Sequence, residues 1–140
     1  MNLKIILAGL GIFFSIAAYG AEEKIKLSFD NKEIIVVLEN NGTAESLLKQ
    51  LPLTIKFEDY NSTEKISYLP EKLDISKSPD GCTPHTGDLT YYSPWGNLAF
   101  FYKDFRYSRG LIPLGKIESG AEELKEIDKA VSVKIEKINN

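Results

Sequence analysis

The run "LAFFY", residues 98–102, is apolar at every position. A strand with one wet face alternates apolar and polar side chains, so a strand without alternation must be covered on both faces. The fold therefore has to offer this run a core on one side and a helix or loop on the other. That demand makes Phe100 and Phe101 structural residues, as buried aromatics usually are. The run lies within "YYSPWGNLAFFYKDFRY", residues 91–107, which holds eight of the chain's fifteen aromatic side chains and leads into both of its arginines, Arg106 and Arg109.

The rest of the chain alternates as half-buried strands do. "KIKLSF" (24–29) places Ile25, Leu27 and Phe29 on one face, and after Asp30 and Asn31 the β-branched run "EIIVVLEN" (33–40) completes a hairpin. Ala44, Leu47, Leu48 and Leu51 then fall on one stripe of a short helix, with Thr43 to cap it, Glu45 at its positive end and Pro52 to stop it. "LTIKFEDY" (53–60) and "EKISYLP" (64–70) are further strands, and residues 74–88 form a loop of Ser, Pro, Gly and Asp. "LTYYS", the turn "PWGN" and "LAFFY" form a second hairpin. Pro113 interrupts "LIPLGKI" (111–117) and predicts an edge or a bulge there. Ser119 and Glu122 have the spacing of a capping box for a second helix over 120–129, and "VSVKIEKI" (131–138) closes the chain. Eight or so strands with two short helices predict a mainly β fold, a closed or nearly closed antiparallel barrel whose terminal strands pair.

At 140 residues the chain makes one domain at most. Residues 1–20 carry Lys4, the apolar stretch 5–18, and the small residues Ala18 and Gly20 ahead of Ala21, the pattern of a secretory signal peptide. The expectation is cleavage between Gly20 and Ala21, a barrel domain over 21–140, and a periplasmic or secreted protein without stable membrane insertion. Loss of Lys4 with that segment takes the formal net charge from −3 to −4. Such a mildly acidic domain has no basic footprint for nucleic acid. A lone Cys82 forms no intramolecular disulfide. Cys82 and His85 in "CTPH" make half of a metal-site spacing with no second Cys or His anywhere, so neither a metal nor a cofactor is expected.

The segments "TAESLLKQLPLTIKFEDYN", "GDLTYYSPWGNLAFFYKDF" and "YSRGLIPLGKIESG" resemble the cyclophilin-like fold family of bacteria. The resemblance covers nearly all of residues 24–120 and implies a compact β-barrel with two covering helices. It does not imply the activity. True cyclophilins isomerise prolyl bonds in a groove on the barrel wall, with an arginine in a Phe-x-Arg pattern and a Gln-Gly-Gly-Asp run nearby. Here "LTIKFEDYNSTEKISYL" has no arginine and Gln-Gly-Gly-Asp is absent, so no catalytic residue carries over.

What the core does not account for is Trp95 in its turn and the arginine–aromatic segment after "LAFFY". The sequence reading therefore places a ligand-binding rim at Tyr92, Trp95, Phe105, Arg106, Tyr107 and Arg109. Arginine beside aromatics stacks on planar ligands or clamps carboxylates, and equally braces loops through backbone carbonyls. The leading expectation is a non-catalytic module for a small molecule or peptide. The alternatives are a prolyl isomerase with a relocated arginine and an accessory domain that acts with a protein partner.

Overall fold

A computed structural model describes residues 22–139. The expected signal segment, residues 1–20, lies outside the described residues. Strands β1 (Lys24–Phe29) and β2 (Lys32–Leu38) form the first hairpin, with Ile25, Leu27, Phe29, Ile34, Val36 and Leu38 buried on one face. Asp30 and Asn31 both take left-handed φ values, 46° and 61°. A two-residue hairpin turn requires that geometry, and Asp and Asn tolerate it best after glycine.

Helix α1 (Gly42–Leu48) follows. Its cap differs from the expected Thr43: the Asn41 side chain accepts from Ala44 N at 2.8 Å, while the Thr43 hydroxyl donates to the Asp74 carbonyl at 2.8 Å. The extended backbone belongs to Asn41, so its carboxamide reaches the free N–H groups. Thr43 already lies inside the helix and ties it to the long loop instead.

Beyond it run β3 (Leu53–Lys56), β4 (Glu58–Tyr60), β5 (Glu64–Tyr68), the short β6 (Gly81–Cys82), β7 (Asp88–Tyr92), β8 (Asn97–Phe101), the short β9 (Ser108–Arg109), β10 (Leu111–Ser119) and β11 (Ser132–Lys137). Nine of the eleven strands make one sheet in the order β3-β11-β1-β2-β10-β7-β8-β5-β4, with antiparallel pairing throughout. β3 and β4 stand at the two ends of that order yet are one run of chain on either side of Phe57, so a single segment nearly closes the barrel. Terminal strands β1 and β11 pair, as their matched alternation predicts.

In the C-terminal third one expectation is met and one needs correction. β10 is an inner strand between β2 and β7, and it absorbs Pro113 with a register shift between Pro113 and Gly115. Of edge and bulge, the bulge is realised. The expected helix 120–129 is a 3-10 helix, Ala121–Glu126, entered through Gly120 at φ 86° with no side-chain cap. A side chain at Gly120 would place its Cβ 2.3 Å from the Glu33 carbonyl oxygen. The chain turns too sharply against β2 for Ser119, still in β10, to reach the helix.

"LAFFY" resolves as its composition demands. Leu98 and Phe100 point into the barrel with Leu89, Tyr91, Ile112 and Leu114, within the main core. Ala99 and Phe101 point outward into a smaller cluster with Ile66 and Leu111, beneath Cys82, Tyr92 and Phe105. The second cover is therefore a loop, and that loop builds the site.

Candidate functional site

The outward faces of β4, β5, β7 and β8 form the floor of a cleft of about 290 Å³. Strand register decides what stands there, since directly paired residues share a face. Tyr60 pairs with Glu64 and Glu64 with Phe101, which puts these three in one row. Asn97 pairs with Tyr92, and Leu111 with Tyr92 from the other side, in a second row. Trp95 rises from the β7–β8 turn and bridges the rows. Its ring meets Tyr60 and Tyr92 edge-on, each at 5.5 Å between centroids.

Residues 103–109 build the far wall. Phe105 lies parallel to Phe101, 6.3 Å away, and the Arg106 guanidinium stands 4.5 Å over the Phe105 ring. The segment is tied down by Phe105 N donating to Pro84 O at 3.1 Å, by Thr86 donating to Asp104 from backbone and hydroxyl, and by the β6–β9 ladder. Gly81 is needed for that ladder, because a Cβ there would lie 2.4 Å from Ser108 O and 2.8 Å from the Tyr107 hydroxyl.

Of the six rim residues read from the sequence, Tyr92, Trp95, Phe105 and Arg106 line this one cleft. Tyr107 and Arg109 do not. The exposed Tyr107 ring carries its hydroxyl over Gly81, and Arg109 lines a separate, more open groove with Asp80, Pro94 and Gly110. Alternation explains the split: beyond Arg106 the segment turns into β9, where successive side chains leave on opposite sides.

The cleft also holds two polar groups that the sequence reading did not single out. Asn97 is 1 % exposed, and both its Nδ2 and Oδ1 are buried without a hydrogen-bond partner among the described residues. Buried polar groups are paired in the great majority of cases, and an unpaired one calls for an explanation. Glu64 is half-buried beside the aromatic rings, and no described cation lies within ion-pair distance of it. Burial, and then the like charge of Asp59, push its carboxyl up to about 7. Asn97 reads as a turn residue in "PWGN", and Glu64 as one of many surface acids; the only available signal was that Asn97 is the lone polar residue of "NLAFF".

On the reverse face of β4 and β5 a different set is fully matched. Tyr102 donates to Asp59, Lys65 lies 3.5 Å from the same carboxylate, and its ammonium sits 5.5 Å from the Tyr102 ring centre. The Tyr102 bond holds Asp59 below the usual carboxylate range, while burial and that bond push Tyr102 up to about 12. Cys82 is half-covered, and burial, then the Asp88 charge, push its thiol up to about 11. It is held as a thiol at neutral pH, the opposite of what an activated nucleophile needs. His85 uses its backbone N–H on Asp88, and no cluster of metal-binding side chains occurs among the described residues. No described helix is long and apolar enough to cross a membrane.

Comparison with known proteins agrees with this architecture. The model of the cyclophilin-like family matches residues 27–136. A hypothetical protein from Archaeoglobus fulgidus, solved in solution, superposes with a TM-score of 0.61 over 85 % of this chain and 97 % of its own, at 18 % identity. That likeness speaks for the fold alone. No curated protein matches the chain. A nearly closed antiparallel barrel with a cleft on its outer wall is the class that fold and site define. The chain belongs to the cyclophilin-like family.

Proposed function

We propose that the protein is a non-catalytic binding module that holds a small molecule or peptide in the outer-wall cleft. The observation that carries this reading is the Asn97 carboxamide, buried in the cleft with donor and acceptor both unpaired. Leaving such a group unpaired costs about 1–3 kcal/mol, and a ligand that displaces the side chains covering it and pairs with it recovers that cost as affinity. The aromatic rings of Tyr60, Tyr92 and Trp95 supply apolar contact area around it. A fragment screen on residues 21–140, followed by Trp95 emission and by NMR, tests the reading. Ligands should shift Trp95, and Asn97→Leu should abolish the shift while the barrel stays folded. Hits that bind the Asn97→Leu variant unchanged would refute it.

A second reading, prolyl isomerisation, is favoured by Arg106 standing in the same cleft as Phe101. Its guanidinium is exposed to water, where its field on a bound amide is weak compared with that of a preorganised, desolvated donor. Little or no isomerase turnover is expected, and robust turnover that vanishes in Arg106→Ala would install this reading instead. Export to the periplasm or beyond is part of the proposal, and it rests on the apolar run 5–18 and the small residues before Ala21.

A further inference from the structure

The cleft has two chemically different ends. Asn97 and Phe101 stand four residues apart on β8, and Phe101 is paired with Glu64. At about 3.3 Å per residue, the neutral Asn97 end and the acidic Glu64 end are therefore roughly 13 Å apart along the strand, before the side chains lean inward. Trp95 stands between the ends, edge-on to Tyr92, which pairs with Asn97, and to Tyr60, which pairs with Glu64.

At the Glu64 end the carboxylate stands without a counter-charge among the described residues. The Glu64 carboxylate makes no hydrogen bond or ion pair among the described residues, although Asp59 nearby has both Lys65 and Tyr102. Lys65 is committed to the other face of the sheet, since neighbours along a strand point to opposite sides. The cross-strand neighbours of Glu64, Tyr60 and Phe101, offer it apolar surface and no counter-charge. Arg106, the cation of the cleft, is stacked on Phe105 and outside ion-pair distance of Glu64. A carboxylate half-withdrawn from water beside aromatic side chains is costly alone and favourable once a cation meets it.

Resting on the binding reading above, we propose that the ligand is an elongated organic cation. Its ammonium group lies against Glu64, its body under Trp95, and its hydrogen-bonding group on the Asn97 carboxamide. A neutral amide-bearing ligand would satisfy Asn97 and leave Glu64 as it is. An anion would meet Arg106 but also the like charge of Glu64 and Asp59.

Three probes of one shape separate these cases: 2-phenylethylamine, 2-phenylethanol and phenylacetate, titrated at pH 8 against Trp95 emission and against the amide resonances of β5 and β8. The ammonium probe should bind roughly tenfold or more tightly than the other two, a preference of the size one partly screened charge contact supplies. Glu64→Gln should erase that preference while weakening the alcohol little, and thermal melts of the variant show whether it is folded. Equal affinity for the three probes, or a preference that survives Glu64→Gln, overturns the cation while the cleft remains a binding site. Silence from all three at millimolar concentration also overturns it. In that case the fragment screen and the Asn97→Leu variant decide the binding reading separately.

Discussion

Asn97→Leu is the substitution on which fold and function make opposite demands. Asn97 carries two buried polar atoms, Nδ2 and Oδ1, without partners among the described residues. Each unpaired group costs about 1–3 kcal/mol relative to its hydrated state. Leucine branches at the same carbon, removes both polar atoms and adds apolar area under Tyr92. Overpacking in a full core costs about 1–3 kcal/mol. Here the side chain borders a cleft of about 290 Å³, which leaves room for the larger group and keeps that cost at its lower end. The expected net effect is a gain of at least about 1 kcal/mol, or roughly 4 °C or more in Tm for a domain of this size. Urea and thermal melts followed by circular dichroism on residues 21–140 read it directly. A stabilised variant that no longer binds would identify Asn97 as a group kept for a ligand at the expense of stability. A loss of more than about 1 kcal/mol would refute the reasoning, because it would mean the carboxamide is paired in solution, as by a water held in the cleft.

Phe100→Ala should destabilise by about 3–5 kcal/mol, since the ring is fully buried in the barrel, and a loss below about 1 kcal/mol in urea melts would contradict that placement. The Glu64 carboxyl is raised to about 7 from 4.5, so the folded protein holds this proton more tightly than the unfolded chain. Its contribution to stability is full below about pH 4.5 and is lost as pH rises through 7. The groups around it are Tyr60 and Asp59 from β4, Phe101 from β8, and Arg106 across the cleft. Glu64→Gln should therefore raise Tm relative to the native protein more at pH 8 than at pH 4.5, and an equal offset at both would contradict the raised value. N-terminal sequencing of exported material should begin at or near Ala21; full-length protein confined to the cytoplasm would remove the export proposal.

Much of the fold was legible because it is written in local alternation. The two hairpins, the pairing of the first and last strands, and the two-sided burial of "LAFFY" all follow from which positions are apolar. What local pattern could not supply was the consequence of close approach between distant segments. Ser119 has the right spacing for a capping box, yet Gly120 must bend against the Glu33 carbonyl, and the geometry of that contact overrides the motif. Thr43 is a good cap by type, but the extended backbone falls at Asn41. Pro113 predicts a disturbance correctly without saying on which strand of the barrel it will fall.

The site was legible by half, and the half that was missed is the polar one. Aromatic residues next to arginine stand out in composition, and Tyr92, Trp95, Phe105 and Arg106 do come together. Asn97 and Glu64 do not stand out. An asparagine after a Pro-Trp-Gly turn and a glutamate after Asn-Ser-Thr look like ordinary turn residues. They become exceptional through what the fold denies them. Strand register buries Asn97 opposite Tyr92 and places Glu64 between Tyr60 and Phe101, and among the described residues neither the Asn97 carboxamide has a partner nor Glu64 a cation. An unpaired polar group is a property of a packed surface, so no reading of neighbours along the chain exposes it. The two groups also share a structural cause. The loop that covers Ala99 and Phe101 leaves a cleft beside them, and Asn97 and Glu64 line it without a matching group among the described residues. The incompleteness of that second cover creates the cleft, with Glu64 half-exposed at one end and Asn97 buried in its wall at the other.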